Sequence, residues 1–472
     1  MPKKVLIITY YWPPGGGAGV QRWLKFVKYL PEFDWEPIVY VPENPEYTAI
    51  DNSLEKDIPP GTKVIKTKVW EPYELYKKFV GLKKEDKINS AFLSEKKKPQ
   101  GIENMAVRIR GNFFIPDARK FWIKPSVKFL TKYLEQYPVD VIVSTGPPHS
   151  LHLIACKLQQ KTGLPWIADF RDPWTQISYY KDLKLSTWAD RRHKKLEKKI
   201  LAGADRILVV SGGMKEEFNK IYHRDYKVIT NGFDTEDIPS ENIIPDTKFS
   251  IAHIGTLAKS RNPELLWKVM EEIANNDPRF KQDLEIKLVG KVDIDVLDMI
   301  KSHELEDNLK LIPYLPHDKV ILEQHKSAVL LLLIHNTPKA KQILTGKIFE
   351  YLSAKRPILC IGPEDGDAAK IIHKTKSGAT VDRTNEIDLK ARILKLYDNY
   401  LNQKKFDGGE NIEQYSRRSL TEKLSKVLKE VINKCRSINS PSTTHPSNSP
   451  PVGGRTSQRL GSEGFPPPAG GG

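Results

Sequence analysis

VLIITYYWPPGGGAGVQRWLKFVKYL (residues 5–30) decides the fold. Its first residues form a short apolar run, the signature of a strand buried on both faces. Pro13 and Pro14 stop that strand, and Gly15, Gly16, Gly17 and Gly19 follow. Val20, Trp23, Leu24, Val27 and Leu30 then recur at helical spacing. Strand, glycine turn and helix together open a parallel sheet covered by helices. Residues 1–4 ahead of VLIITYYW could be mistaken for a signal peptide, but the apolar run is too short and prolines and glycines follow at once.

The same unit recurs along the chain. Short apolar runs bounded by glycine or proline are VLIIT (5–9), PIVYV (37–41), VDVIVST (139–145), RILVVS (206–211) and KVIT (227–230). A second set follows: FSIAHIG (249–255), LEIKLVG (284–290), AVLLLLI (328–334) and PILCI (357–361). Leu265, Leu266, Val269 and Ile273 repeat the helical spacing after Gly255. A polar, proline-containing stretch without period (235–248) separates the sets and reads as a linker. A last helix, about 412–435, carries Leu420, Leu424, Val427, Leu428, Val431 and Ile432 on one face and must bury it. Residues 70–129 are rich in lysine and aromatics and longer than an ordinary connection, so they are expected to form an insertion. Residues 436–472 are Ser/Pro/Gly-rich and are expected to be disordered.

The chain has 472 residues, 39% hydrophobic and 28% charged, a globular balance with material for two cores. Cys156, Cys360 and Cys435 lie far apart and fit unpaired thiols in a reducing compartment. The formal net charge is +16. Nucleic acid or an anionic membrane surface would explain it, and so would a solvated lysine-rich surface; no nucleic-acid module is present in the sequence. No run reaches the roughly 18 apolar residues of a membrane span.

Four motifs carry chemistry. PPGGGAGVQRW (13–23) suits a diphosphate approached by backbone amides, or is simply a tight turn. It lacks the G-x-G-x-x-G spacing and the acidic ribose residue of a dehydrogenase. STGPPHSLH (144–152) ends a strand and exposes His149 or Ser150 where ligands of open α/β sheets bind; alternatively Ser150 caps a helix. ADFRDPW (168–174) offers Arg171 and Asp172 beside Trp174, either to hold a sugar or as a structural pair. In the second half, IGTLAKSRNPE (254–264) presents Gly255, Thr256, Lys259 and Arg261. TGKIFEYLSAKRP (345–357) places Lys347 and Glu350 three apart on one helix face. There a cation can hold diphosphate oxygens and a carboxylate can accept from ribose hydroxyls, unless the two merely pair with each other.

Read together with VIVSTGPPHS, ADRILVVSGGM (204–214), ITNGFD (229–234) and YLPHDKV (314–320), these motifs resemble in order and spacing the GT-B glycosyltransferases of family four. That is the retaining class with bacterial cell-surface polysaccharide enzymes. The resemblance runs over about 3–435. It implies two Rossmann-like domains facing across a cleft, with the last helix crossing back to the first domain. The expected divisions are 1–235 for the acceptor domain, 236–248 for the linker, 249–410 for the nucleotide-sugar domain and 411–435 for the crossing helix. By resemblance Glu350, the second glutamate of the family's Glu–seven–Glu signature, holds ribose. Arg261 matches the diphosphate lysine position, and Lys347 belongs to a pattern of the capsule-type subgroup. Tyr314 and His317 line the base pocket, and Gly255, Thr256, Gln342 and Gly346 complete the donor site. Three residues depart from the family pattern: Gln342 replaces the first glutamate, Thr256 an arginine, and Arg171 the histidine before Asp172.

The implied reaction transfers a sugar from a nucleoside diphosphate sugar to a glycan or lipid-linked acceptor, with retention, in polysaccharide synthesis such as that of lipopolysaccharide or capsule. Arg261, Lys347 and the amides of Gly15, Gly16 and Gly17 are the groups expected to stabilise the departing diphosphate. Arg171 and Asp172 are the further catalytic candidates, and His149 is placed at the acceptor. No metal or cofactor is expected, the nucleotide sugar being the substrate. Expected partners are a nucleotide sugar, that acceptor and an anionic membrane surface, with no nucleic acid. The expected location is cytoplasmic and peripheral to the membrane. The alternative is a catalytically inactive sugar-nucleotide or glycan-binding protein of the same fold.

Overall fold

The computed structural model describes residues 1–47, 49–70, 101–239 and 243–439. Two parallel sheets organise them. The first comprises β1 (Lys3–Ile8), β2 (Trp35–Pro42), β3 (Lys63–Thr67), β4 (Val141–Gly146), β5 (Trp166–Phe170), β6 (Arg206–Val209) and β7 (Tyr226–Val228), in the order β3-β2-β1-β4-β5-β6-β7. The second comprises β8 (Phe249–Ile254), β9 (Leu284–Val289), β10 (Leu309–Ile312), β11 (Val329–Leu333), β12 (Ile358–Ile361) and β13 (Gly378–Val381), in the order β10-β9-β8-β11-β12-β13. Each order reverses beside its first strand, between β1 and β4 and between β8 and β11. Ligands of such sheets bind at that point, outside the carboxyl ends of the strands.

The apolar runs are buried on both faces because side chains alternate along a strand. Leu6 and Ile8 of β1 join one core with Tyr40 and Ile142. Val5 and Ile7 join another with Val39, Val141 and Val143. Helices Ile123–Gln136, Ser150–Thr162 and Thr187–Gly203 cover the first face. Helix Ala18–Tyr29 covers the second, together with the last helix, Arg417–Asn439. That last helix buries Leu420, Leu424, Val427, Leu428, Val431 and Ile432 there, as its sequence required. Each such side chain contributes about 1.5–3 kcal/mol on burial. Trp35 also donates to Ser425 Oγ at 3.1 Å.

Several boundaries differ from expectation. Ile229 lies in a first-domain core and Phe233 already in a second-domain core, so the chain crosses at 229–233, ahead of the expected linker. It returns just after Tyr415, which packs with Phe233, whereas Leu420 packs with Ile229. The two crossings touch: Phe233 and Ser416 form a bridge, and Phe233 N donates to Tyr415 O at 3.2 Å. A Cβ on Gly232 would collide with the Tyr415 carbonyl and Leu420 Cδ1, which is why a glycine stands there.

The last helix is preceded by a separate turn, Ile412–Tyr415, and continues to Asn439, into the segment expected to be disordered. Residues 440–472 lie outside the described residues, as do 71–100 of the expected insertion. Part of that insertion's described remainder belongs to the core. Trp122, Ile123 and Val127 are core residues, and Trp122 stacks on Tyr40 at 5.0 Å. The Ile123–Gln136 helix is the ordinary connection into β4. Lysines at 124, 128 and 132 line its exposed face and hide the apolar stripe from composition alone. Among the described residues no helix is long and apolar enough to cross a membrane.

Candidate functional site

A cavity of about 280 Å³ opens between the domains at the carboxyl ends of the second sheet. The second domain lines it with His253, Arg261, Leu332, Thr345, Lys347 and Glu350, among others, and the first domain with Gln21, Asn231 and Gly232. Arg417, from the start of the crossing helix, completes the wall. Three cations thus surround one carboxylate.

Lys347 begins a short helix, Lys347–Ser353, capped by Gly346. Its amine lies over Gly255, where a Cβ would stand 2.6 Å from Nζ. Gly255 has a φ of 112°, so glycine serves both the backbone and the lysine above it. His253 Nε2 is 3.5 Å from the same amine. The other ring nitrogen, Nδ1, lies 3.2 Å from the Leu331 carbonyl. Donation from Nδ1 to that carbonyl leaves Nε2 as an acceptor for the ammonium. Burial, with Lys347 beside it, pushes the His253 pKa down to about 3, so the ring is neutral. Burial and then Arg261 lower the Lys347 pKa to about 8, against the pull of Glu350.

Glu350 does not pair with Lys347; its Oε2 accepts from Gln324 Nε2 at 2.9 Å. Thr256 follows Gly255 at the edge of the site and is exposed. Tyr314 is 80% exposed, at the head of the His317–Lys326 helix. His317 points to the crossing segment, its Nε2 3.7 Å from Asp237 Oδ2. That carboxylate raises the proton affinity of the imidazole above its ordinary value.

Other expected site residues lie elsewhere. Gln342 abuts the first domain: a Cβ on Gly213 would stand 2.6 Å from Gln342 Cγ. Around it, Lys339 Nζ reaches Glu217 at 3.2 Å and the Gln176 carbonyl at 3.1 Å, while Asp367 Oδ2 accepts from Gly213 N at 2.8 Å. The Gly15 and Gly16 amides donate to Trp12 O and Ala49 O, each at 2.9 Å, so they are already engaged within the chain. Sequence could not show this, because residue 49 lies far along the chain.

Arg171 and Asp172 do not pair. Arg171 donates to Gly19 O at 2.5 Å and to Pro147 O, clamping the start of the Ala18–Tyr29 helix to the Gly-Pro-Pro loop. Its guanidinium also lies over the Tyr11 ring at 5.2 Å. Desolvation by the surrounding chain holds the Asp172 pKa above the ordinary carboxylate value although Arg171 opposes this. His149 is buried rather than exposed, stacked on Trp174 with ring centroids 4.7 Å apart. Burial, then His152, keep it neutral. Ser150 hydrogen-bonds Asp117 through N and Oγ, each at 2.9 Å.

Sequence reasoning missed His253, Gln324 and Arg417. Two of them left a signal. His253 is polar within the apolar run FSIAHI. Arg417 precedes Leu420 by three and Leu424 by seven, so it continues the helix's apolar stripe as a cation.

Two Rossmann-like domains with a polar, cation-lined cleft define the GT-B class of protein. The model of Glycosyltransferase Family 4 matches residues 90–237, and that of Glycosyl transferases group 1 matches 234–419. The two meet where the chain has just crossed between domains. The chain belongs to the GT-B glycosyltransferases of the family 4 type.

Solved structures share the fold at low identity. Sucrose-phosphate synthase from Thermosynechococcus elongatus has a TM-score of 0.57 at 12% identity, covering 92% of this chain and 100% of its own. A glycosyltransferase from Rickettsia africae ESF-5 has a TM-score of 0.54 at 14% identity, covering 93% and 100%. A mutant of S. aureus TarM, in complex with Fondaparinux, alpha-GlcNAc-glycerol and UDP, has a TM-score of 0.55 at 13% identity, covering 90% and 99%. No curated protein matches the sequence.

Proposed function

We propose that this glycosyltransferase moves a sugar from a nucleoside diphosphate sugar to a hydroxyl of a glycan or lipid-linked acceptor, with retention, in cell-surface polysaccharide synthesis. The observation that carries the reading is the cavity in which Lys347 and Arg261 stand beside Glu350 at the carboxyl ends of β8 and β11. Cations fixed there meet the charge that grows on a departing diphosphate and need no reorganisation as the bond breaks. Glu350 accepts from ribose hydroxyls, its orientation held by Gln324. Across the cleft, Asp172 accepts from a hydroxyl of the incoming acceptor. TarM of the same fold is complexed with UDP and alpha-GlcNAc-glycerol, which supports a nucleotide donor and a hydroxyl acceptor here.

Incubation with UDP-, GDP- and ADP-sugars, with and without a membrane lipid extract, tests this reading. One donor should release its diphosphate, faster with the extract, and NMR of the product should show the donor's anomeric configuration. Tight binding without release would instead support a sugar-nucleotide-binding protein, a reading favoured by Gln342 facing away from the cavity. If the protein neither binds nor turns over any of these nucleotides, Lys347 and Glu350 do not form a donor site.

Peripheral membrane association rests on an aromatic and basic surface. Trp70 and Phe113 are 55% and 70% exposed. Trp70 meets Phe121 edge-on at 4.7 Å, and Lys120 Nζ lies 5.0 Å from the Phe121 ring. Aromatic rings enter the headgroup region while lysines attract anionic lipids. The protein should co-sediment with phosphatidylglycerol vesicles at low salt, and Trp70→Ser with Phe121→Ser should weaken this by about tenfold. Equal recovery of wild type and variant would remove this surface from the proposal.

A further inference from the structure

Arg417 lies 5% exposed at the first turn of the crossing helix, and its backbone is pinned where the two crossings touch: its N donates to Phe233 O at 2.7 Å. The guanidinium Nη1 is buried without a hydrogen-bond partner. A buried guanidinium nitrogen left unpaired is costly, so a partner is expected.

The nearby carboxylates do not supply one. Asp234 is engaged by Lys25 at 2.6 Å and Lys28 at 3.2 Å. Asp237 is engaged by Lys25 at 3.0 Å, and Glu350 accepts from Gln324. Other cavity-lining side chains on this side, Gln21 and Asn231, carry no charge. The side chain faces the same cavity as Lys347 and Arg261 but enters from the crossing helix, at the wall formed with the first domain.

We propose that Arg417 is a ligand-binding residue of the cavity, donating to an anionic oxygen of a nucleoside diphosphate. This rests on the donor reading given above. Two cations would then come from the sugar-nucleotide domain and the third from the crossing helix, whose apolar face belongs to the other domain. A guanidinium suits the role because it stays charged in a low-dielectric wall and offers several donors in one plane. One ligand would thus touch groups anchored in both cores.

Calorimetry of the full chain with UDP, GDP and ADP, and with the matching monophosphates, tests the assignment. Wild type should prefer one diphosphate over its monophosphate. Arg417→Gln should weaken the diphosphate by about tenfold or more, the size of one charge-assisted hydrogen bond, and weaken the monophosphate less. A merely structural arginine would weaken both equally, so an unchanged ratio in a variant that melts like wild type overturns the proposal. Failure of wild type to bind any nucleoside diphosphate would overturn the donor reading as well, before any variant is made. If Arg417→Gln does not fold, a wild-type structure with the diphosphate bound decides. An anionic ligand oxygen within about 3.5 Å of the guanidinium supports the assignment, and its absence there overturns it.

Discussion

Lys347→Met is expected to lower kcat for sugar transfer by about 10²- to 10³-fold while the protein melts no lower than wild type. The two halves of this expectation have one cause. The amine is buried over Gly255, beside Arg261, with the neutral His253 as its near neighbour. Burial and Arg261 favour its neutral form and bring its pKa to about 8. In the unfolded chain a lysine titrates near 10.4. Below about 8 the amine is charged in both states, and holding that charge in the folded protein costs stability. Between the two values the unfolded chain binds the proton more tightly, so this cost shrinks as pH rises. Methionine, of similar shape and uncharged, removes it.

The charged amine, however, is the form that meets a departing diphosphate. kcat/KM should therefore fall as pH rises through about 8, and the Met variant should lack this limb. Rate against pH for both proteins, with melting curves alongside, checks the pair of effects. A wild-type rate in the variant would take Lys347 out of the reaction.

Asp169→Ala should lower the stability of the first domain by about 3–5 kcal/mol, the loss expected when one partner of a buried pair is removed. Asp169 is fully buried at the end of β5. It accepts from Arg22 Nη2 at 2.8 Å, Trp23 Nε1 at 2.8 Å and Thr145 Oγ1 at 2.9 Å. Arg22 in turn donates to the carbonyls of Ile229 at 2.9 Å and Thr230 at 2.8 Å. One carboxylate therefore joins β4, β5, the first helix and the segment that leaves the domain. Its deletion strands a buried guanidinium, so Asp169→Ala with Arg22→Met should be less destabilised than Asp169→Ala alone. Urea denaturation of both variants measures this; equal losses would mean that the ion pair is not the source.

The pH dependence has a definite sign. Burial alone would raise the Asp169 pKa, but Arg22 and the other donors outweigh it and hold it below the ordinary value. Its contribution is complete above about 4, the unfolded value, and is lost as pH falls through the lower folded value.

The two sheets were legible because their central strands are continuously apolar. The edge strands β3 and β10 were not. KVIKT of β3 and LKLI of β10 carry lysines and lie partly exposed, so they give no continuous apolar run. Lys347 and Glu350 were visible as a pair three apart, since helical spacing puts them on one face. The structure then separates them by giving Glu350 to Gln324, a partner from another helix. Arg171 fared similarly: its neighbour in sequence is Asp172, but its partners are two distant backbone carbonyls, Gly19 in the first turn of a helix and Pro147 in a loop. Adjacent residues in a motif reveal chemistry only when their partners are also local.

Gly232 marks the first of two seams between the domains. The two inter-domain segments touch at Phe233 and Ser416, with Arg417 next in the chain. The Lys339–Glu217 and Asp367–Gly213 contacts join the domains a second time through other segments. Any change in the domains' relative orientation that keeps the first seam intact would therefore have to break the second.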